Sequence, residues 1–305
     1  MLRKETFFIF ISSLLALFLV WYLFIKENDY IITFKVKTAT GTIHQGIQDW
    51  VSGRKKTDNE NYVLLTNRKY NFLNYELKND RQTLNYNWEI QPINDSITEV
   101  KVGILDCDNS IYNRVTVPFI TTDFKEEQLK KIIDFKKGLD DHLKDFKVNL
   151  VKEGTSSEVY VAYISLKSVM QEKAQTMIAN DNIITGYLYQ NKIKITGKPY
   201  LEITNWDAET EKLDFNYCFP IEKKGALTND EKVKFKTIPA QKGLTVSYFG
   251  NFRTSDRGWF AILDYAKKHQ IALDAKPLEH FLANPFNGGN ELEWETQIII
   301  PFSKK

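Results

Sequence analysis

The sequence predicts an α+β protein in which an apolar N-terminal helix precedes two globular segments. An uncharged run of 19 residues, Phe7 to Ile25, predicts the helix. The order strand, helix, strands, helix between residues 30 and 148 predicts the first segment. A strand-helix-strand-strand unit that occurs twice between residues 156 and 303 predicts the second. We therefore expect three parts, over residues 1–28, 29–150 and 156–305.

The N-terminal run predicts a membrane anchor. At about 1.5 Å per residue, its 19 residues span about 28 Å, close to the thickness of the hydrocarbon core. Arg3 and Lys4 precede it, whereas Lys26, Glu27 and Asp29 follow it with a net negative balance, so the positive-inside rule places the N-terminus in the cytoplasm and the rest outside. A cleaved signal peptide is the alternative, but residues 20–25 are bulky and make a poor cleavage site. We expect a single-pass membrane protein whose soluble domains are extracytoplasmic.

The first globular segment begins with an alternating strand around Ile32, Phe34 and Val36. A helix follows, in which Ile43, Ile47 and neighbouring apolar residues recur at helical spacing. Next comes a series of strands, which we expect at Tyr62–Leu65, Tyr70–Leu77, 84–90, 100–104 and Val115–Ile120. A long helix from Asp123 to about Lys147 closes the segment, with Gly138 as an unfavourable residue inside it.

This order of elements resembles the START-like (SRPBCC, polyketide-cyclase-like) helix-grip fold. In that fold an antiparallel sheet wraps the C-terminal helix and leaves an apolar cavity. The resemblance covers roughly 120 residues and concerns the order of elements, because no sharp motif accompanies it. The aromatic residues of the predicted strands, such as Tyr86 and Trp88, are equally suited to packing the sheet against the helix.

The second globular segment repeats itself. Gly197-Lys198-Pro199-Tyr200 recurs as Ala275-Lys276-Pro277-Leu278, and Phe215–Ile221 recurs as Thr296–Phe302, with offsets of 78 and 81 residues. In each copy a strand comes first, at Val159–Ser165 and Leu244–Tyr248, and a helix follows, at Ser168–Asn180 and Thr254–His269. Two further strands close each copy. Two copies of this length indicate a duplicated module rather than a solenoid.

Such a duplication resembles the GyrI-like (AraC-type effector-binding, SOUL/GyrI-like) domain. The resemblance covers about 145 residues, and the residues that carry it are Glu158–Tyr163, Phe219-Pro220-Ile221, Gly250 before Trp259, Lys276-Pro277, Phe281, Asn284-Pro285, Trp294–Gln297 and Pro301. It implies that two modules face each other across a cleft that holds small, often amphiphilic molecules. Aromatic side chains line such a cleft, and an acidic residue near its floor attracts cations.

The acid that the resemblance implies is absent from its usual position. It would follow the strand threonine Thr296, where this chain has Gln297, and the equivalent residue of the first copy is Asn216. An amide hydrogen-bonds but cannot pair with a cation, which leaves the charge of the ligand open. Glu295, and less so Glu293, would share a strand face with Gln297, although an exposed position at the start of the strand is an equal alternative.

The resemblance thus implies a set of ligand-binding residues, which are Tyr160, Tyr163, Tyr217, Tyr248, Trp259, Glu295 and Gln297. We expect a membrane-anchored protein that binds small amphiphilic or hydrophobic molecules and has no DNA-binding module. The formal net charge of +2 also argues against a nucleic-acid partner. One alternative is a hydrolase in which Glu295 and a tyrosine act as a pair. The other is a structural or adaptor protein of the cell envelope.

Neither a metal nor another cofactor is expected. Cys107 and Cys218 lie far apart in the sequence, and the four histidines are scattered. No His-Glu-x-x-His, Gly-x-Ser-x-Gly or phosphate-binding loop occurs.

Overall fold

A computed structural model of the protein describes residues 2–57, 60–79, 82–223, 230–283 and 288–303. The chain forms two compact units. The first contains Met1–Lys37, Ile43–Ile93 and Ile97–Leu139, and the second contains Thr38–Thr42, Asn94–Ser96 and Asp140–Lys305.

The first unit begins with helix α1 (Leu2–Val20), which continues as a π-helical turn over Trp21–Ile25. Within it, the exposed stretch Thr6–Ile25 is long and apolar enough to cross a membrane. A membrane anchor and a signal sequence both satisfy this criterion.

An antiparallel sheet forms the body of the first unit, with the strand order β1-β5-β4-β3-β2. Its strands are β1 (Tyr30–Val36), β2 (Asn61–Arg68), β3 (Phe72–Lys78), β4 (Thr83–Pro92) and β5 (Thr98–Asp106). Its helices are α2 (Thr40–Thr57), α3 (Ser110–Thr116) and α4 (Asp123–His142). Alternate residues of β4 are buried, because one face of the sheet packs on the helices. The ring of Phe135 on α4 lies 4.9 Å from that of Trp88 on β4.

Two sequence-based expectations for this region are wrong. No strand forms at Val115–Ile120, because the Asp106 carboxylate accepts hydrogen bonds from the backbone N–H groups of Asp108 and Asn109, both at 3.0 Å, and turns the chain into α3. The closing helix α4 ends at His142 rather than near Lys147. The residues beyond it form a short strand, β6 (Phe146–Val148), that pairs with the second unit's sheet.

The second unit is built on a single antiparallel sheet. Within the described residues it has nine strands in the order β11-β8-β10-β9-β13-β14-β12-β6, with β7 also paired to β12. They are β6, β7 (Lys152–Thr155), β8 (Val159–Val169), β9 (Tyr200–Asp207), β10 (Lys212–Pro220), β11 (Lys234–Ile238), β12 (Lys242–Gly250), β13 (Leu278–Phe281) and β14 (Glu295–Pro301). The helices are α5 (Lys173–Gln190) and α6 (Asp256–Lys268).

The duplicated order strand, helix, strand, strand is present as β8-α5-β9-β10 and β12-α6-β13-β14, and the two modules join where β9 pairs with β13. The helix of the first module, α5, begins at Lys173 instead of the expected Ser168, because β8 stays paired with β10 as far as Val169. Glu293 lies outside the last strand, in a 3₁₀ turn over Glu291–Glu293, so the expectation that it shares a strand face with Gln297 is wrong. Asn284-Pro285 lies outside the described residues.

Candidate functional site

A cavity of about 550 Å³ lies in the second unit. Both modules contribute to it: α5 and β10 come from the first, and the turn before α6 and the end of β13 come from the second. Its lining consists of Ala174, Met177, Ile178, Asp181, Thr185, Gly197, Lys198, Pro199, Tyr217, Phe219, Asn251, Phe252, Arg253, Phe281, Ala283 and Trp294.

One face of α5 supplies a third of this lining. Ala174, Met177, Ile178, Asp181 and Thr185 are spaced so that they lie on the same side of the helix. Asp181 is the only charged residue of α5 after Lys173 at its start. A carboxylate therefore stands between apolar residues and Thr185 on the side of α5 that faces the cavity.

Asp181 is held by a hydrogen bond from a neighbouring strand. The hydroxyl group of Tyr217 on β10 donates to Asp181 Oδ1 at 2.9 Å. Burial, and then the charge of Asp181, raise the pKa of Tyr217, so this hydroxyl group keeps its proton and remains a donor. No Lys or Arg side chain within the described ranges forms an ion pair with Asp181, which is half-buried.

The remaining walls are aromatic. The rings of Tyr217 and Phe219 meet edge to face with centroids 5.1 Å apart. The ring of Phe252 lies 4.7 Å from that of Phe281 and 5.9 Å from that of Trp294. Lys198 and Arg253 also line the cavity, but both are exposed to solvent.

A buried charge network lies behind the cavity wall. Lys173 donates to Asp256 Oδ1 at 2.7 Å and to the backbone carbonyl of Arg253 at 3.3 Å, and Arg257 donates to Asp256 Oδ2 at 2.6 Å. Burial acts to raise the pKa of Asp256, but Lys173 and Arg257 together outweigh it and leave this pKa below its usual value. Because Arg253 lines the cavity, this network fixes the backbone of that wall.

A second carboxyl group in this region, that of Glu279 on β13, is fully buried. The hydroxyl group of Ser255 lies 2.9 Å from both of its carboxyl oxygens. Burial raises the pKa of Glu279 to about 7, and Lys173 and Ser255 only partly oppose this effect.

A family model of the GyrI-like small molecule binding domain matches residues 151–303, the region that contains this sheet and its cavity. The chain belongs to the GyrI-like family. The match begins at residue 151, inside the second unit.

Three solved structures show how far the similarity extends. The C-terminal domain of EcmrR is 17% identical, with a TM-score of 0.44, over 52% of this chain and 99% of that one. An integron cassette protein from the mobile metagenome of Vibrio cholerae is 14% identical, with a TM-score of 0.34, over 52% of this chain and 99% of that one. SAV2435 bound to tetraphenylphosphonium is 12% identical, with a TM-score of 0.36, over 51% of this chain and 94% of that one. No curated protein matches the chain.

Of the seven ligand-binding residues expected from the sequence, Tyr217 lines the cavity of the GyrI-like domain. Tyr248 and Trp259 are fully buried beside it. The hydroxyl group of Tyr248 donates to the backbone carbonyl of Asn251 at 2.9 Å and thus fixes the turn that carries Phe252. The ring of Trp259 packs edge to face against that of Trp206 at 5.3 Å.

The other four expected residues do not line the cavity. Tyr163 pairs with Cys218, the strand neighbour of Tyr217, so Tyr163 projects from the opposite face of the sheet. Gln297 is exposed, and Glu295 accepts a hydrogen bond from Ser247 Oγ at 2.7 Å. The ring of Tyr160 is half-buried under the ammonium group of Lys223, which lies 5.6 Å from its centroid.

Asp181 is the residue that sequence reasoning missed. The predicted helix ended at Asn180, one residue before it, whereas α5 continues to Gln190 and places Asp181 on the same side as Met177 and Ile178. No group of three or more His, Cys, Asp or Glu side chains suited to a metal ion occurs in the part of the chain that the structure describes.

Proposed function

We propose that the GyrI-like domain binds a small amphiphilic molecule that carries both apolar groups and a positive charge. The observation that supports this most directly is the carboxylate of Asp181, which faces an apolar, aromatic cavity without an ion-pair partner among the described residues. A cationic ligand would supply that partner, and a partly buried carboxylate favours one because it is poorly solvated.

The walls suit such a ligand in size and chemistry. A cavity of about 550 Å³ lies within the range of sites for drug-sized molecules, roughly 300–1,000 Å³. Rings such as Tyr217 and Trp294 would add cation–π attraction of about 0.5–2 kcal/mol each. Lys198 and Arg253 would oppose a cation less than Asp181 attracts it, because both are exposed and screened by water.

Binding of matched lipophilic ions tests the proposal. We expect the full chain to bind tetraphenylphosphonium more tightly than tetraphenylborate, an anion of nearly the same size and shape. The Asp181→Asn variant should lose about tenfold or more of its affinity for the cation, because the charge is removed while the shape is kept. Isothermal titration calorimetry would measure both affinities.

The matched control is Asp214→Asn, which removes a half-exposed acid paired with Lys167 on the same sheet. It should leave both affinities unchanged. Equal affinity of the wild-type protein for the two ions, or an Asp181→Asn variant that binds the cation as well as the wild type, would contradict the cationic preference.

For the rest of the chain we propose a START-like domain in the first unit and a membrane anchor in Thr6–Ile25, with the domains outside the cytoplasm and without a DNA-binding module. The order strand, helix, four strands, helices supports the first point, and the length and exposure of the apolar helix support the second. Sidedness can be tested at Cys107, which is exposed. A membrane-impermeant thiol reagent should label it in intact cells, and labelling only after lysis would contradict this orientation.

The two alternative functions receive less support. The Glu295 carboxylate, the suggested catalytic base, accepts a hydrogen bond from Ser247 and does not line the cavity. An adaptor with vestigial pockets would have its cavity filled by side chains, whereas the GyrI-like domain has about 550 Å³ of open space.

A further inference from the structure

Helix α3 of the first unit has an inverted distribution of side chains. Its polar residues Asn113 and Arg114 are buried, whereas Ile111, Tyr112 and Val115 are at least half exposed. The turn that follows continues this exposed surface with Phe119, which is 84% exposed, and Ile120. We call these five residues the α3 apolar surface. A soluble protein rarely leaves such a contiguous group in water unless something covers it.

Buried polar contacts tie α3 to the end of the apolar N-terminal helix. Arg114 donates from Nε to Asp29 Oδ1 at 2.8 Å and from Nη1 to the backbone carbonyl of Leu23 at 2.9 Å. The hydroxyl group of Tyr22 donates back to the carbonyl of Arg114 at 2.9 Å, and Ser110 Oγ donates to Asp29 at 2.6 Å. The guanidinium group therefore donates to a backbone carbonyl that has no intrahelical partner at the end of the helix. This hydrogen bond holds α3 against the helix end.

The position of α3 follows from these contacts. Tyr22 and Leu23 belong to the last turn of Thr6–Ile25, the stretch that we propose to cross the membrane. If that stretch crosses a bilayer, α3 begins at the level where the helix leaves it. Tyr and Trp side chains are enriched at this level, where α3 contributes Tyr112 and the helix end contributes Trp21 and Tyr22.

We propose that the α3 apolar surface inserts into the lipid headgroup region beside the anchor, to a depth of about 5–10 Å, as interfacial helices do. This inference rests on the proposed membrane anchor. The contacts favour lipid over a protein partner, because the same buried Arg114–Asp29 pair that exposes the apolar side of α3 also ties it to the end of the span. The first unit would then meet the membrane at two points and keep a fixed orientation on it.

Lipid-borne quenchers can test this proposal in the full chain reconstituted in phosphatidylcholine vesicles. In a Cys107→Ser background, in which Cys218 is fully buried, single cysteines introduced by Phe119→Cys, Leu15→Cys and Tyr189→Cys would each carry an environment-sensitive fluorophore. Position 15 reports on the anchor and position 119 on the α3 apolar surface. Tyr189, 86% exposed on the GyrI-like domain, serves as the control. All three side chains are exposed, so labelling them should not disturb packing.

We expect the label at position 15 to lose fluorescence with spin-labelled lipid whose quencher lies deep in the acyl chain. The label at position 119 should lose fluorescence with a quencher near the headgroup, and the label at position 189 with neither. Quenching at position 15 without quenching at position 119 would overturn the α3 proposal and leave the anchor intact. Quenching at neither position would overturn the anchor and this surface together. An unlabelled cysteine at position 119 that cross-links to a second copy, with no headgroup quenching of the label, would show a protein interface and would also overturn the proposal.

Discussion

A carboxyl group that keeps its proton near neutral pH lies behind the cavity wall at Glu279. Burial raises its pKa to about 7 from the ordinary value of 4.5, because the charged form would be poorly solvated. Between these two values the unfolded chain releases this proton while the folded protein retains it. Glu279 therefore lowers the stability of the second unit as the pH rises through this window, by about 3 kcal/mol in total.

The Glu279→Gln variant tests this linkage. Its amide cannot ionise, so the pH-dependent loss of stability should disappear. The free energy of unfolding of the second unit in the variant, minus that in the wild type, should be about 3 kcal/mol larger at pH 7.5 than at pH 4.5. Urea denaturation of both proteins at the two pH values would measure this difference. Any constant effect of the substitution on packing cancels, and an equal difference at both pH values would contradict the raised pKa.

The candidate site was only partly predictable at the level of single residues. Tyr160 and Tyr163 were both expected in the pocket, but residues three apart on a strand project from opposite faces of the sheet. Glu295 and Gln297 share a face, yet it is the one opposite Tyr217. Asp181 was missed because the predicted helix ended at Asn180, although the spacing of Asp181 from Met177 and Ile178 is that of one helix face.

At the level of elements, two helical glycines show how packing decides the effect of one substitution. Gly138 on α4 is exposed, and an added Cβ would meet nothing within 4 Å. At Gly258 on α6 the same Cβ would lie 2.5 Å from Ile298 Cδ1 and 3.2 Å from Val246 Cγ2, because α6 lies directly on β12 and β14 there.

We therefore expect opposite results from the two alanine substitutions. Gly138→Ala should stabilise the first unit by about 0.5–1 kcal/mol, which is the difference in helix propensity. Gly258→Ala should give no gain, because shifting Ile298 costs about 1–3 kcal/mol and outweighs the propensity. Chemical denaturation of each variant would measure both values. A Gly258→Ala protein stabilised as much as the Gly138→Ala protein would show that α6 is not packed closely on the sheet.

The elements that sequence could predict are those with a regular apolar period. The alternation in β4 and the repeated strand-helix-strand-strand order are fixed by burial of one face, and both are present in the structure. The α3 region could not be read in this way. Its apolar residues are exposed whereas Asn113 and Arg114 are buried, so the usual relation between pattern and burial is reversed there. The turn that starts α3 depends on the side chain of Asp106, which periodicity does not report.

At the scale of the whole molecule, the position of the cavity predicts which of the two units a ligand should stabilise. Its described lining runs from Ala174 to Trp294 and belongs entirely to the second unit. A ligand that binds only the folded state, at 100 times its dissociation constant, stabilises that state by about 2.7 kcal/mol. This stabilisation should slow the exchange of amide hydrogens that become accessible only when the second unit unfolds.

Hydrogen exchange of the full chain with and without tetraphenylphosphonium would measure this effect. We expect slower exchange in the central strands of the second unit, such as β10 and β14, and no change in β3 and β4 of the first. The Asp181→Asn variant at the same ligand concentration should show a smaller effect on β10. Protection of β3 and β4 equal to that of β10, and unchanged by Asp181→Asn, would contradict a cavity confined to the GyrI-like domain, because the ion would then bind a site in the first unit.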